Sequence, residues 1–345
     1  MIVLSSKCDE KRFSSQTRSD VNSTARLSRT HSYRTDDSVS CHPSVYSRSR
    51  SRRLERLHRV LGLPKPLHPL ISLVDNTAIA INREDLPASF LLNFYKISYK
   101  KGLQGKLKYG QHYYDFDEGG LVFTSPNQVL ATTTDDAEYA GYTMLIHPDF
   151  IRNYPLGKNI KNYGFFSYAV HEALHLSDKE KQIVQSIFRN IEDELAAGVD
   201  EFSQDVIISQ IELLLNYSNR FYKRQFITRK AASNDLLEKL ETLLDDYFNN
   251  DSALVKGLPT VQFLSDQLHV SPGYLSDMLR SLTGQNAQAH IHNKLIEKAK
   301  EILSITNLTV AEVAYQLGFE HPQSFNKLFK RKTKLTPVAF KQSFN

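Results

Sequence analysis

Residues 171–175 read His-Glu-Ala-Leu-His. Two histidines one helical turn apart can hold a zinc ion, and the glutamate between them can act as general base in hydrolysis. The rings converge only if both histidines lie inside one continuous helix. Here Ser177-Asp178-Lys179-Glu180 follows two residues later, and S-x-x-E is the capping pattern that opens a helix. The helix is therefore predicted to start after the motif. The stretch before it, YGFFSYAV, is aromatic and β-prone. A third ligand is available only in Glu192 or Glu194, on the later helix, with no fixed orientation toward His171 and His175. The 12 histidines of the chain leave room for a chance match. A zinc metallohydrolase stays as the alternative reading; the leading one makes the motif a junction between two kinds of structure.

Other chemistry is sparse. His112 and His147 stand alone in a β-rich region, with no H-x-H pair to start a metal site. No catalytic residue, metal ligand or cofactor is assigned, and the chain is not read as an enzyme. Phe94, Tyr95, Tyr113, Tyr114 and Phe123 can line a small-molecule pocket or fill a core. The two cysteines, Cys8 and Cys41, fall in the first 41 residues, which rules out a disulfide framework beyond them and makes a reducing cytoplasm the expected compartment. No apolar run approaches the roughly 18 residues of a membrane span, and the opening MIVLSS lacks the features of a signal peptide.

The net charge of +5 is unevenly spread. Residues 1–53 hold 11 basic and 5 acidic residues, residues 54–259 hold 22 and 27, and residues 260–345 hold 10 and 6. An acidic middle between basic ends suggests nucleic acid at one end and another task in the middle. Residues 1–53 are Ser/Arg-rich, end in SRSRSRR and show no hydrophobic period; they are expected to be disordered. From 64 to 150, short runs rich in β-branched and aromatic residues (ISLV, SFLLNFYKISYKK, GGLVFTS, AGYTMLIH) alternate with turn residues. This predicts a sandwich or barrel. From 177 to 250 the period becomes helical. Ile183, Ile187, Ile191 and Leu195 form one stripe. Val206, Ile207, Ile211, Leu214 and Leu215 form a second, and Leu236, Leu237, Leu240, Leu243 and Leu244 a third. Core packing accounts for part of each stripe, and a dimer interface can use the rest.

The C-terminal segment repeats itself. TVQFLSDQLHVSPGYLSDMLRSLTG (260–284) and TVAEVAYQLGFEHPQSFNKLFKRKTK (309–334) align at an offset of 49 from Leu264 to Val313 and 50 from Leu275 to Phe325. Each copy reads as helix, tight turn, helix. Thr260, Ser271 and Thr309 are N-caps, with Pro272 at a first helical position and Glu312 completing a capping box. Gly318 suits the left-handed end of a helix. AHIHNKLIEKAKEILSI has helical period without a breaker and joins the two units.

On SPGYLSDMLRSLTG, KLIEKAKEIL and TVAEVAYQLGFEHPQSFNKLFKRKTKLTPVAFK, residues 255–345 resemble the DNA-binding domain of the AraC/XylS family of bacterial transcription regulators. The resemblance implies an α+β chain: an N-terminal cupin-like β-barrel with flanking dimerisation helices, then an all-α domain of two helix-turn-helix units joined by a long helix. It implies four zones: a tail (1–53), a sensory barrel (54–176), dimerisation helices (177–229) and an AraC-type DNA-binding domain (230–345). It further implies a sequence-specific, cytoplasmic, nucleoid-associated regulator. Its partners would be double-stranded promoter DNA, a second copy of itself, RNA polymerase if it activates, and an unidentified small-molecule effector in the barrel. No membrane is implied.

A recognition helix turns its outward face to the major groove. In the first unit Leu275, Met278 or Leu279, and Leu282 must face inward, which leaves Gly273, Ser276, Asp277 and Arg280 outward. In the second, Phe325, Leu328 and Phe329 face inward, and Gln323, Ser324, Asn326, Lys327 and Lys330 outward. Gln and Asn can pair with adenine and Lys can reach guanine. Lys330, Arg331, Lys332 and Lys334 form a basic run suited to phosphates. Asp277 is anomalous, because a carboxylate repels phosphates. The second unit is therefore expected to supply more of the affinity.

Overall fold

The computed structural model describes residues 54–79, 89–101, 107–109, 112–114, 119–131, 140–198, 200–250 and 252–344. The expectation of disorder over residues 1–53 lies outside them. Strands β1 (Ile71–Asp75), β2 (Ser89–Leu92), β3 (Tyr95–Lys101), β4 (Leu107–Tyr109), β5 (His112–Tyr114), β6 (Gly120–Thr124), β7 (Gln128–Ala131), β8 (Ala140–Ile146) and β9 (Leu174–His175) arise from the β-branched and aromatic runs. β1, β8, β3, β6 and β9 make one antiparallel sheet in that order; β2 pairs with β7 and β4 with β5 as separate ribbons. Among the described residues no strand pair closes these pieces into a barrel.

Alternation sends successive side chains to opposite faces of the sheet. One face presents Ile71, Ile97, Tyr99, Leu121, Met144 and Ile146, all fully buried. The other presents hydroxyls, which bond one another: Ser98 Oγ lies 3.2 Å from Thr143 Oγ1, which donates to Asn76 Oδ1 (2.7 Å). The same alternation separates the aromatics read as a possible pocket lining. Phe94 joins Leu54, Leu57, Leu92 and Leu145 in a small cluster under the helix at 54–60 (α1), whereas Tyr95 and Phe123 pack edge-on against Phe166. The side chains of His112, Tyr113 and Tyr114 lie outside the description.

After β8 come two short helices, α2 (Pro148–Ile151) and α3 (Pro155–Asn159), and then two long ones, α4 (Asp178–Ala196) and α5 (Ser203–Thr228), that cover the apolar face. Phe188 stacks on Tyr99 and Tyr142 with centroids 6.3 and 5.7 Å away. With no exposed surface, it is worth about 3–5 kcal/mol relative to alanine. Ile187, Ile191, Leu195, Ile207, Ile211, Leu214 and Leu215 are buried, as their spacing predicts, while Val206 is 41% exposed. The two stripes are thus largely used within the chain, and the large apolar side chains left exposed on and beside α5 are Phe202, Val206, Leu213 and Ile227.

The His-Glu-Ala-Leu-His stretch is not helical. Val170–Glu172 is a 3-10 turn and Leu174–His175 is β9, the edge strand beside β6. α4 starts behind Ser177, whose N–H donates to Glu180 Oε2 at 2.8 Å, and Arg224 of α5 grips the same carboxylate at 2.6 Å. The upstream aromatics differ from expectation. They form a 3-10 turn (Gly164–Ser167) rather than a strand, because Phe165, Phe166 and Tyr168 are all buried, without the alternation a strand requires.

The remaining helices are α6 (Lys230–Asn249), α7 (Ser252–Lys256), α8 (Val261–Leu268), α9 (Pro272–Thr283), α10 (Ala287–Ile305), α11 (Val310–Gln316), α12 (Pro322–Thr333) and α13 (Pro337–Gln342). α8–α9 and α11–α12 are the two helix-turn-helix units, and α10 joins them. Thr260, Ser271, Asn286, Thr309 and Thr336 each accept a backbone N–H as N-caps. One apolar core runs from the sheet through α5 and α9 to Phe325 and Phe329 of α12.

The α11–α12 turn depends on Gly318, at φ +88°. A Cβ there would stand 2.7 Å from the Ala253 carbonyl oxygen and from the Gly257 carbonyl carbon, both backbone atoms that cannot swing aside. Gly318→Ala is expected to destabilise the chain by about 2 kcal/mol or more, from left-handed strain plus the clash. Urea unfolding of the variant at wild-type stability would contradict this account of the turn.

Candidate nucleic-acid interface

α12 begins with Pro322 at its first position and buries Phe325, Leu328 and Phe329. Helical geometry then fixes the opposite face. Gln323, Ser324, Asn326, Lys327 and Lys330 are all exposed. This face offers amides for adenine, cations for guanine or phosphate, and few carboxylates to oppose DNA. Lys330, Arg331 and Lys332 occupy the last turn, where the helix dipole favours cations. Lys332 Nζ donates to Asn293 Oδ1 of α10 at 2.9 Å, which ties the basic run to the joining helix.

α9 has the same internal logic but a different surrounding. Leu275, Met278 and Leu279 are buried, and Arg280 is exposed. Gly273, Ser276 and Asp277 are only half-exposed, and Gly164, Ser167 and Tyr168 lie across Gly273 and Asp277. Tyr168 Oη donates to Asp277 Oδ2 at 2.7 Å. Arg280 pairs with the other Asp277 oxygen at 2.5 Å and neutralises it. The Tyr168 ring meets Tyr222 and Tyr274 edge-on, with centroids 5.2 and 5.4 Å away. Glu172, the glutamate of the zinc-like motif, is 5% exposed. Its carboxylate accepts Ser271 N–H at 2.6 Å, Ser271 Oγ–H at 2.5 Å and Ala169 N–H at 2.7 Å.

Two glycines permit this contact. A Cβ on Gly273 would stand 2.6 Å from Ser167 Oγ, and one on Gly164 would collide with the Asp277 carboxylate. Burial pushes the Tyr168 phenol far up from its usual pKa, with Asp277 adding to the shift, and burial beside Glu172 pushes Tyr274 up to about 12. Both phenols therefore remain protonated through the physiological range, and Tyr168 acts as a hydrogen-bond donor there.

The expected DNA-facing residues thus divide. Gln323, Ser324, Asn326, Lys327 and Lys330 share one open surface, while Lys332, seven residues after the buried Phe325, is exposed on the side toward α10. Asp277 instead accepts hydrogen bonds, and Ser276 sits beside it at the covered contact. Tyr168, Glu172 and Ser271 were invisible as a set, because 109 residues separate Tyr168 from Asp277 and 99 separate Glu172 from Ser271. The one local signal was a carboxylate at position 277. For the zinc reading, His171 and His175 lie on a turn and a strand rather than one helix face, and Glu172 is committed to three donors. Among the described residues no three His, Cys, Asp or Glu side chains are grouped to hold a metal, and no helix is long and apolar enough to cross a membrane.

A helix-turn-helix domain family matches residues 264–343. The regulatory protein PocR of Salmonella typhimurium is 28% identical over 158 residues, covering 43% of this chain and 52% of that protein. The HTH-type transcriptional activator RhaS of Escherichia coli is 26% identical over 140 residues, covering 41% and 46%. A Formosa agariphila protein named histidine kinase P4 matches at 22% over 143 residues, only 10% of its length. The chain spans about half or less of these relatives. Of solved structures, the C-terminal domain of the response regulator yesN from Fusobacterium nucleatum is 30% identical, covering 31% of this chain and 98% of that one, with a TM-score of 0.28. Apo ToxT K231A from Vibrio cholerae is 14% identical, covering 80% and 97%, with a TM-score of 0.27.

The exposure difference between the two helices sets an order of effects. Lys327→Ala is expected to weaken duplex binding about tenfold, the size of one good base or phosphate contact. Ser276→Ala should change it less than about threefold, since a hydroxyl at a covered contact has little to lose. Equal losses in fluorescence anisotropy at fixed salt would contradict this ordering.

Proposed function

Starting from a chain that belongs, by its C-terminal domain, to the AraC/XylS family of transcription regulators, we propose that α12 reads promoter DNA in the major groove and that α9 reads the adjoining groove. The carrying observation is the α12 face, where Gln323, Ser324, Asn326, Lys327 and Lys330 are exposed together on a helix held from behind by Phe325, Leu328 and Phe329. Lys330, Arg331 and Lys332 supply phosphate affinity, and the amides supply discrimination.

The N-terminal half serves as the regulatory module in this reading. Its sheet and ribbons are taken as parts of a cupin-like wall, and the hydroxyl-lined face as the side an effector would meet. A homodimer is proposed through the edge that exposes Phe202, Val206 and Leu213, since two copies on spaced half-sites gain affinity by effective concentration. Contact with RNA polymerase follows if the protein activates. The working compartment of such a regulator is the bacterial cytoplasm.

Genome-wide mapping of bound sites, followed by a salt series on one recovered fragment, tests the reading. A few enriched sites should emerge. Affinity for them should fall by about a hundredfold or more between roughly 50 and 200 mM salt, as displaced counterions require. Chelation of divalent metal should leave binding unchanged. Binding that ignores salt, or no enriched site at all, would defeat it.

A further inference from the structure

We infer that the free protein holds its first reading helix shut: Tyr168 and Glu172 latch α9 onto the sheet-bearing half, so that only α12 is open to DNA until the latch releases. The inference rests on the DNA-binding reading and adds a state to it.

The geometry is steric first. An α-helix with its side chains is about 10–12 Å across, and the major groove is about 12 Å wide. A helix therefore fills the groove by itself. The 3-10 turn Gly164–Ser167 and Tyr168 cannot enter with it while they cover Gly273 and Asp277. The contact is also built rather than incidental. Both facing surfaces are thinned to glycine, at Gly164 and Gly273, where a Cβ would collide across the contact. Tyr168 bonds Asp277 at 2.7 Å, and the buried Glu172 takes the backbone N–H and hydroxyl of Ser271, the residue that caps α9. Phe226 of α5 meets Tyr274 at 5.2 Å from behind.

The latch has a line to the sheet. Glu172 is two residues from β9, which pairs with β6, and Gln225 of α5 holds the His175 N–H and the Ala173 carbonyl. A rearrangement of that edge moves the Glu172 carboxylate directly. Apparent affinity for a two-groove site is lowered by the fraction of molecules with α9 free.

The test uses the full chain. With Cys8→Ser and Cys41→Ser in place, Ser167→Cys and Gly273→Cys put two thiols across the closed contact, where the Cβ of 273 would lie 2.6 Å from the atom Ser167 already presents. Mild oxidation should form the bridge, read by mass. The oxidised protein should bind a duplex of about 30 bp, enriched from a random pool on the wild-type chain, at least tenfold more weakly than the reduced protein. Its salt slope should be shallower by about two phosphates' worth. Residual salt-dependent binding through α12 shows that it is folded. Separately, Tyr168→Phe keeps the ring, removes the one hydrogen bond to Asp277 and substitutes no residue of the helix-turn-helix half; it should tighten binding by several-fold and up to about tenfold. Wild-type affinity in the reduced, the oxidised and the Tyr168→Phe protein, whether or not the bridge forms, overturns the latch while leaving DNA binding intact, because a Cβ at 273 that kept the contact from closing would itself tighten binding. If neither the wild type nor any variant binds duplex, the DNA reading falls and the latch with it.

Discussion

Glu172 is 5% exposed, and its carboxylate is satisfied by donors from two distant parts of the chain: the Ala169 N–H on its own turn, and the N–H and hydroxyl of Ser271 at the start of α9. A carboxylate with so little solvent needs such partners, because an unpaired buried charge is strongly unfavourable. Two of its three donors belong to the helix-turn-helix half. Glu172, two residues before β9, therefore draws most of its satisfaction from the docked α9. The aromatic knot of Phe165, Tyr168, Tyr222, Phe226 and Tyr274 supplies the apolar attraction around it, and the carboxylate supplies the register.

That dependence makes the two helix-turn-helix units unequal in surroundings although they are alike in sequence. Both keep the same inward triplet pattern, Leu275/Met278/Leu279 and Phe325/Leu328/Phe329, and both begin with proline. Their outward faces have different partners. On α12 the partner is solvent, and the face is basic and amide-rich. On α9 the partner is the segment 164–172, and the face is thinned by Gly273 and neutralised by the Asp277–Arg280 pair. In the latch proposed above, α9 docks alternately on protein and DNA and must present a surface acceptable to both. Glycine, serine and a locally paired aspartate meet that requirement better than the lysines of α12 would.

Elements whose cause is local were legible in the sequence. The capping serine and threonines, Pro272, Gly318 and the three-and-four spacing of apolar residues located the C-terminal helices, because caps and amphipathic stripes are decided within one or two turns. Ser177 and Glu180 correctly started α4 after the zinc-like motif. The exposed α12 face followed from the burial of Phe325, Leu328 and Phe329 by simple rotation. The covered α9 face did not follow, since the same rotation argument places Asp277 outward and is silent on what lies outside. The segment YGFFSYAV misled for the same reason. Its aromatics have β propensity, but a tertiary site that wants Phe165, Phe166 and Tyr168 all inside overrides alternation.

The anomaly at Asp277 was the point where local reasoning registered a conflict without being able to resolve it. On a DNA-reading helix alone, a carboxylate opposes phosphate. On a helix that must also accept a hydrogen bond from a tyrosine that stays protonated across physiological pH, a carboxylate is the fitting acceptor, stronger than a neutral amide. In the latch proposed above, the two demands act on one side chain at different times. Arg280, one turn on, reconciles them: paired with Asp277 it cancels the charge that DNA would meet, and it is itself exposed enough to turn toward a phosphate when the contact opens. Local rules therefore break at 277 because its side chain meets Tyr168, which lies three residues before the stretch whose spacing first resembled a metal site.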